Sequence, residues 1–331
     1  GDIVEAGHRV AQARAVLDRV GAGKIDYAEL DAVVGRVELA AGRAQEAEAQ
    51  LRKAIDALAE ASPAPTELAE LRDTLGLVLL ERKQYDAARE QHELARVLWA
   101  EYFGPEHPRV ALSRRHLAAV AEAAGNDELA LQEYEAAQNI YAQSLGSDCI
   151  EVAEVSLAKA RVLARLGRGE EALAACGKAI ELYRARGSKG LTELASGYEL
   201  EARIHGEQGQ LEEAAGLLAQ AVETWERKRG AKGLELVSPL RQLGKVQLEL
   251  SRATEARKTL DRALDIAADE DVRAWLQLEL ARAWSTGDDV DLDRARVYAV
   301  HARGSFDALG QREAVAEVDA LLAALGGKNR R

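Results

Sequence analysis

Basic side chains recur at one position of a long-period pattern in this 331-residue chain. In five copies of the pattern this position, called the basic row below, is held by Arg36, Arg161, Arg203, Lys245 and Arg282. Three further arginines lie one predicted helical turn away from the row: Arg115, Arg165 and Arg241. An arginine guanidinium can donate two parallel hydrogen bonds to one carboxylate. These residues therefore predict the binding of an acidic, carboxylate-bearing protein or peptide segment.

The same positions have a second interpretation, in which acidic neighbours neutralise the basic row. Glu199 and Glu207 lie four residues on either side of Arg203, and Glu249 lies four residues after Lys245. Ion pairs at this spacing on a helix contribute about 0.2–0.5 kcal/mol each. The sequence leaves open whether the row binds a partner or forms a salt-bridged surface.

Signals for catalysis or cofactor binding are weak. The six histidines are scattered without the paired spacing of a metal-binding helix. His92 occupies a packing position and His107 a connector, so we expect no ligand role for either. The segment Gly21–Lys24 resembles a phosphate-binding loop only superficially, because Asp18 stands where such a loop has its first glycine and Ile25 follows the lysine. We predict no enzyme activity, no cofactor and no metal.

Composition excludes other classes of protein. A net charge of −12 disfavours nucleic acid and anionic membranes as partners. The longest strongly apolar run, Leu77–Leu80, is far shorter than the ~20 residues of a membrane helix. Two cysteines, Cys149 and Cys176, are too few for a disulfide scaffold and suit a reducing compartment, so we predict a cytoplasmic location with Cys176 buried and inert.

The elements that position the basic row follow from an internal repeat. Small residues recur in trios such as Gly76, Ala88 and Ala95, and the last members of the first six trios are 41 or 42 residues apart. Six copies each have one predicted turn residue between the first and second small residues of the trio. These turn residues are Gly42, Lys83, Gly125, Gly167, Gly209 and Ser251. Each copy therefore predicts a helix A, a tight turn and a helix B that crosses helix A where the side chains are small.

Aromatic residues recur four positions after the last alanine of several trios. They are Trp99, Tyr141, Tyr183, Trp225 and Phe306. Because their spacing follows the repeat, we predict that they fill the space between neighbouring repeats rather than stack on a ligand.

These features resemble tetratricopeptide repeats, as in Leu75–Gly76 followed by Tyr85, Ala88 and Ala95. The period of 42 residues, longer than the usual 34, is similar to the variety in kinesin light chains and many bacterial signalling proteins. The segment Gly104–Ala111 resembles the connector of that variety. The asparagine pairs of its helix A are absent here and are replaced, for example, by Asp73–Thr74 and Arg115–His116.

The resemblance implies an all-α, right-handed superhelical solenoid of antiparallel helix hairpins. We expect a truncated repeat with helix B only in residues 1–20, with Ala6, Val10, Ala13 and Leu17 at its B-helix positions, and seven hairpins in residues 21–310. In residues 311–331 we expect a capping helix, Glu313–Leu325, and then a short basic tail, Gly326–Arg331. In such solenoids helix A lines a concave groove, so the resemblance implies that the basic row lies in that groove.

The sequence thus predicts a non-catalytic scaffold that binds a protein segment, as the sensor or adaptor part of a larger bacterial signalling protein. We predict that changing Arg161, Arg203 and Lys245 together to Glu leaves folding intact and abolishes binding of an acidic partner. The alternative is a regulatory or self-oligomerising domain that acts through its ends on an upstream catalytic module.

Overall fold

The structure, a computed structural model, describes residues 2–60 and 65–328, and it confirms the all-α repeat fold. Those residues form sixteen α-helices and two short 3₁₀ segments, with no strand among them. The helices are α1 Asp2–Val20, α2 Lys24–Ala40, α3 Ala44–Glu60, α4 Pro65–Glu81, α5 Tyr85–Phe103, α6 Pro108–Ala123, α7 Asp127–Leu145, α8 Ile150–Arg165, α9 Gly169–Ala185, α10 Leu191–Glu207, α11 Leu211–Arg229, α12 Val237–Glu249, α13 Ala253–Ile266, α14 Glu270–Trp284, α15 Leu292–Ala308 and α16 Arg312–Lys328.

The chain divides into two compact units, Gly1–Arg168 and Gly169–Arg331. In unit 1, α2 packs against α3, α4 against α5 and α6 against α7, and each of these hairpins contacts the next helix along the chain. Helix α1 packs on α2 through the half-buried face that the repeat register predicts, formed by Ala6, Val10, Ala13 and Leu17.

Unit 2 has the same construction. Helix α9 packs on α10, and the hairpins α10–α11, α12–α13 and α14–α15 follow, with α16 packed on α15. We expected a helix that ends at Leu325, followed by a basic tail, but α16 continues to Lys328. Residues 329–331 of the expected tail lie outside the described residues, and the handedness of the superhelix stays a prediction.

The tight turns form where the sequence predicts them. The four predicted turn glycines have φ between 73° and 79°, and Lys83 and Ser251 reach φ of 59° and 61° at the equivalent places. This left-handed conformation ends helix A and returns the chain into helix B, and it favours glycine because glycine has no Cβ. In two repeats, therefore, Lys83 and Ser251 adopt the left-handed conformation of the turn, although it is strained for a residue with a Cβ atom.

Small residues do bring the two helices of a hairpin together. The alanines of the trios are almost completely buried, and the five aromatic side chains of the predicted row are at most 8% exposed. The prediction that these aromatics belong to the core is confirmed. In the part of the chain that the structure describes, no helix is long and apolar enough to cross a membrane.

The close crossing of α12 and α13 in unit 2 gives a testable prediction. A Cβ atom added to Gly244 of α12 would lie 2.5 Å from Cγ of Leu260, a fully buried side chain of α13. Alanine is preferred to glycine in a helix by about 1 kcal/mol, but overpacking costs about 1–3 kcal/mol in the free energy of unfolding. We expect Gly244→Ala to be destabilising overall by about 1 kcal/mol, as measured by urea titration.

A double-mutant cycle separates the clash from other effects of this substitution. Leu260→Val removes volume opposite Gly244, so Gly244→Ala should cost less in that background than in the wild type. Equal costs in both backgrounds would contradict the close approach of α12 and α13.

Candidate partner-binding site on the A helices

The structure places every basic residue of the predicted site on a helix A. The A helices are α2, α4, α6 and α8 in unit 1 and α10, α12 and α14 in unit 2. Within unit 1, α4 contacts both α2 and α6, and within unit 2, α12 contacts α14, so neighbouring A helices lie side by side. The surface that they share within each unit is called the A face below.

On the A face of unit 1, a single carboxylate joins two arginines of the next A helix. Glu122 at the end of α6 accepts two hydrogen bonds from Arg161, from Nε at 2.7 Å and from Nη2 at 3.1 Å, and one from Arg165 Nη1 at 3.0 Å. Arg165 also bonds to Asp127, with its Nε 3.0 Å from Oδ2. Both arginines are therefore held by carboxylates of the preceding repeat.

The protonation of Glu122 follows from these contacts. Burial acts to raise the pKa of Glu122, but the hydrogen bonds from Arg161, Arg165 and Tyr134 outweigh it and leave the pKa below its ordinary value. The carboxylate stays ionised at neutral pH, so it partly neutralises both arginines. Nearby on the same face, Arg115 of α6 pairs with Glu154 of α8.

On the A face of unit 2, Glu279 of α14 pairs with an arginine of the preceding A helix. Its Oε1 accepts a hydrogen bond of 3.0 Å from Arg241 of α12, whose guanidinium lies 5.4 Å from the centre of the Trp275 ring. Its Oε2 is buried and has no hydrogen-bond partner among the described residues. Burial raises the pKa of Glu279 in spite of the opposing charges of Arg241, Lys245 and Arg282.

A cleft of about 350 Å³ opens beside this carboxylate. Glu279, Lys245 and Arg282 line it together with Glu249 and Thr286. The structure thus brings two members of the basic row to one cleft, although Arg282 also pairs with Glu317 of α16.

A larger cleft of about 900 Å³ lies in unit 1 between α5, α6 and α7. Its apolar lining includes Leu94, Leu117 and Leu129. The charged residues of its lining are four carboxylates and one arginine: Asp86, Glu90, Glu93, Glu133 and Arg89. This cleft repels the acidic segments that the basic row predicts.

Three members of the basic row form no ion pair with residues 2–60 or 65–328. Arg36 on α2, Arg203 on α10 and Lys245 on α12 are exposed, and no hydrogen bond or salt bridge joins them to any residue that the structure describes. Arg203 and Lys245 come from successive A helices of unit 2. Neither side chain would have to break an ion pair with a described residue in order to bind a carboxylate from outside.

The alternative interpretation of the row predicted the wrong pairs. Over the described ranges, neither Arg203 nor Lys245 pairs with the carboxylates four residues away. Glu199 instead accepts one hydrogen bond within its own hairpin, from Trp225 Nε1 of α11 at 3.1 Å, and one from the next hairpin, from Ser238 Oγ of α12 at 3.2 Å. The ion pairs of the A face connect one repeat to the next rather than two turns of one helix.

The sequence analysis also missed a buried polar cluster in unit 1, in which His92 and His116 both lie beside Asp73, with their ring centres 4.8 Å apart. We expected His92 only to pack and gave His116 no role. The available signal was the replacement of the two asparagine pairs by Asp73–Thr74 and Arg115–His116. The two pairs stand at equivalent places of successive repeats, so the sequence alone does not show that Asp73 lies beside His116.

Comparison with known proteins places this geometry in context. The tetratricopeptide repeat model matches residues 67–143 and 193–269. Among curated proteins, no sequence matches the chain. Solved structures do match: BtubC (BKLC) from P. vanneervenii has a TM-score of 0.59 and 19% identity over 69% of this chain and 91% of its own.

Two other solved structures match over more of the chain. The apo form of RapI has a TM-score of 0.71 and 13% identity, covering 99% of this chain and 94% of its own. A signal-transduction ATPase with a tetratricopeptide repeat sensor, from Pyrococcus horikoshii, has a TM-score of 0.73 and 14% identity, covering 91% of this chain and 44% of its own. At these identities the likeness is one of fold.

Proposed function

Because the chain is a tetratricopeptide repeat protein, we propose that it is a non-catalytic scaffold that binds an acidic protein or peptide segment on the A face of unit 2. The observation that carries this proposal is the pair of exposed cations, Arg203 and Lys245, that have no carboxylate partner in the described structure. Five other basic residues of the predicted site are paired: Arg115, Arg161, Arg165, Arg241 and Arg282.

The difference between paired and unpaired cations supports a division of roles. Paired arginines hold neighbouring repeats together, and a second carboxylate would have to compete with the one already bound. Unpaired cations are solvated and gain a partner without breaking an existing ion pair. Two such cations on successive A helices match two acidic side chains spaced along one bound segment, which gives selectivity through charge complementarity.

The larger role that we propose is that of a sensor or adaptor part of a bacterial signalling protein in the cytoplasm. Support comes from fold relatives that are described as an ATPase with a repeat sensor and as the quorum sensor NprR. Cys149 and Cys176 are both free thiols, which suits a reducing compartment. Burial raises the pKa of Cys176 to about 12, so this thiol stays protonated and unreactive.

Charge reversal tests the site. We expect Arg203→Glu combined with Lys245→Glu to weaken binding of a fluorescein-labelled oligoglutamate peptide at least tenfold, because two attractive charges become repulsive and each tenfold change corresponds to about 1.4 kcal/mol. Fluorescence anisotropy at low and high salt measures the affinity. Leaving Arg161 unchanged keeps its bonds to Glu122, so this double variant is a cleaner test than one that also reverses Arg161.

The matched control reverses two exposed cations on B helices, Arg227 on α11 and Lys258 on α13. It changes the net charge by the same amount away from the A face, so its affinity should stay within about twofold of the wild type at moderate salt. An equal loss of affinity in both variants would show that binding depends only on the net charge of the protein, and would exclude the A-face site.

A further inference from the structure

The buried cluster of unit 1 draws donor atoms from three helices. Asp73 lies on α4, His92 on α5 and His116 on α6. Asp73 Oδ1 is 2.9 Å from His92 Nδ1 and 3.5 Å from His116 Nδ1. One donor atom from each residue lies within 4.8 Å of the other two, and His92 is completely buried. Two imidazoles and one carboxylate form a common set of zinc ligands.

The hydrogen bonds around Asp73 leave one of its oxygens directed at the imidazoles. Oδ2 accepts hydrogen bonds from Trp99 Nε1 at 3.1 Å and from Ser113 Oγ at 2.9 Å. Oδ1 faces His92 and His116 instead. Outer hydrogen bonds of this kind orient a carboxylate that binds a metal.

The histidines contribute an unused donor atom. His116 Nδ1 is buried, and among the described residues it has no hydrogen-bond partner within normal distance. A buried polar atom without a partner is costly unless something absent from the protein itself satisfies it. The side chain of His116 is 14% exposed, so solvent and an ion can approach from its side of the cluster.

From this geometry we propose that Asp73, His92 and His116 form a binding site for a zinc ion. Zinc lies about 2.0–2.2 Å from nitrogen and oxygen ligands, so two ligands of a tetrahedral ion are about 3.4 Å apart. The donor atoms of the cluster lie within 4.8 Å of one another, so the widest pair would have to approach by about 1.4 Å, through rotation of the partly exposed His116 ring. A water molecule from the side of His116 completes the fourth position.

The consequence for the fold is a cross-link between two repeats. Asp73 and His92 belong to the hairpin α4–α5, and His116 belongs to the first helix of the next hairpin. A bound ion would fix that junction and would be released when the junction opens. The proposed zinc site lies in unit 1, and it does not depend on the proposed binding of acidic segments in unit 2.

The experiment uses the full chain after treatment with a chelator that is then removed. Isothermal titration with zinc chloride near pH 7.5 should give one strong site per chain, and scanning fluorimetry should show a rise in Tm with zinc. Cobalt(II) serves as a spectroscopic probe, and a visible absorption band typical of tetrahedral nitrogen and oxygen ligands should appear at the same stoichiometry.

Two variants make the outcome decisive. His116→Gln, at the partly exposed ligand, should bind zinc at least 30-fold more weakly and lose the cobalt band. His301→Gln removes an exposed histidine of α15 and should retain both signals. A wild-type chain that binds zinc no better than His116→Gln, or that gives no tetrahedral cobalt band, would overturn the proposal and leave the cluster as a hydrogen-bonded network.

Discussion

We expect Asp73→Ala to lower the free energy of unfolding, in the presence of a chelator, by about 3–5 kcal/mol. Three donors converge on this one carboxylate: His92 Nδ1, Trp99 Nε1 and Ser113 Oγ. All three side chains are buried, and none can turn to water when the acceptor is lost. Each unsatisfied buried donor costs about 1–3 kcal/mol, so the combined effect exceeds that of an ordinary surface substitution.

Urea titration followed by far-UV circular dichroism measures this change, and tryptophan fluorescence adds local information because Trp99 is the tryptophan of unit 1. Glu70→Ala is the matched control, since Glu70 is an exposed carboxylate of the same helix with only a surface ion pair to Arg109. The control should change stability by less than about 1 kcal/mol. A loss of that small size for Asp73→Ala would show that the cluster does not hold α4, α5 and α6 together.

The second large effect is expected at Arg257 of α13, which is only 6% exposed. Its Nε donates to the carbonyl of Ala283 and its Nη2 to that of Thr286, both at 2.9 Å, at the end of α14. The guanidinium also lies 4.3 Å from the centre of the Trp284 ring. Carbonyls at a helix end have no partner within the helix, and a cation there also interacts favourably with the helix dipole.

We therefore expect Arg257→Ala to cost about 2–4 kcal/mol in the free energy of unfolding, because a buried carbonyl is left without a donor and the packing on Trp284 is lost. Arg257→Lys should recover part of the loss, since an ammonium group carries the charge but cannot reach two carbonyls with a planar fork. Lys258→Ala, at the exposed neighbour, is the control and should stay within about 0.5 kcal/mol. A fully stable Arg257→Ala variant would contradict this role.

The sequence was sufficient to predict the repeat, the helix pairs and the tight turns. Each of these depends on residues close together in the chain, such as Gly42 between α2 and α3, or on the recurrence of small residues at a fixed interval. The expected helix end at Leu325 was three residues too early, because α16 continues through Gly326 to Lys328. Glycine ends a helix only when the following chain turns away.

The register of the repeat predicted the helix on which each basic residue lies, but not the contacts of these residues. All members of the basic row lie on A helices, and their place in a concave groove stays a prediction. Which cations stay unpaired depends on the next repeat, because Arg161 finds Glu122 39 residues earlier and Arg241 finds Glu279 38 residues later. The spacing within each helix predicted ion pairs with carboxylates four residues away, but the observed ion pairs form between helices of neighbouring repeats.

The buried cluster escaped prediction for a similar reason. His92 and His116 are 24 residues apart in sequence, which matches no metal-binding motif. They meet because α6 returns beside α4 and α5. A sequence pattern indicates which positions are buried, but it does not show which buried positions of two repeats touch.

The polar contacts between repeats also bear on how the chain avoids misfolding. Repeats of nearly equal length can dock out of order during folding, and such misassembly is a typical failure of repeat proteins. Four of the junctions within the two units have their own chemistry: Asp73 accepts from Ser113, Glu122 from Arg161, Glu199 from Ser238, and Arg241 donates to Glu279. A repeat docked against the wrong neighbour would bury charges without their partners. The similar repeats are thereby made non-interchangeable, and only one stacking order satisfies all of these contacts.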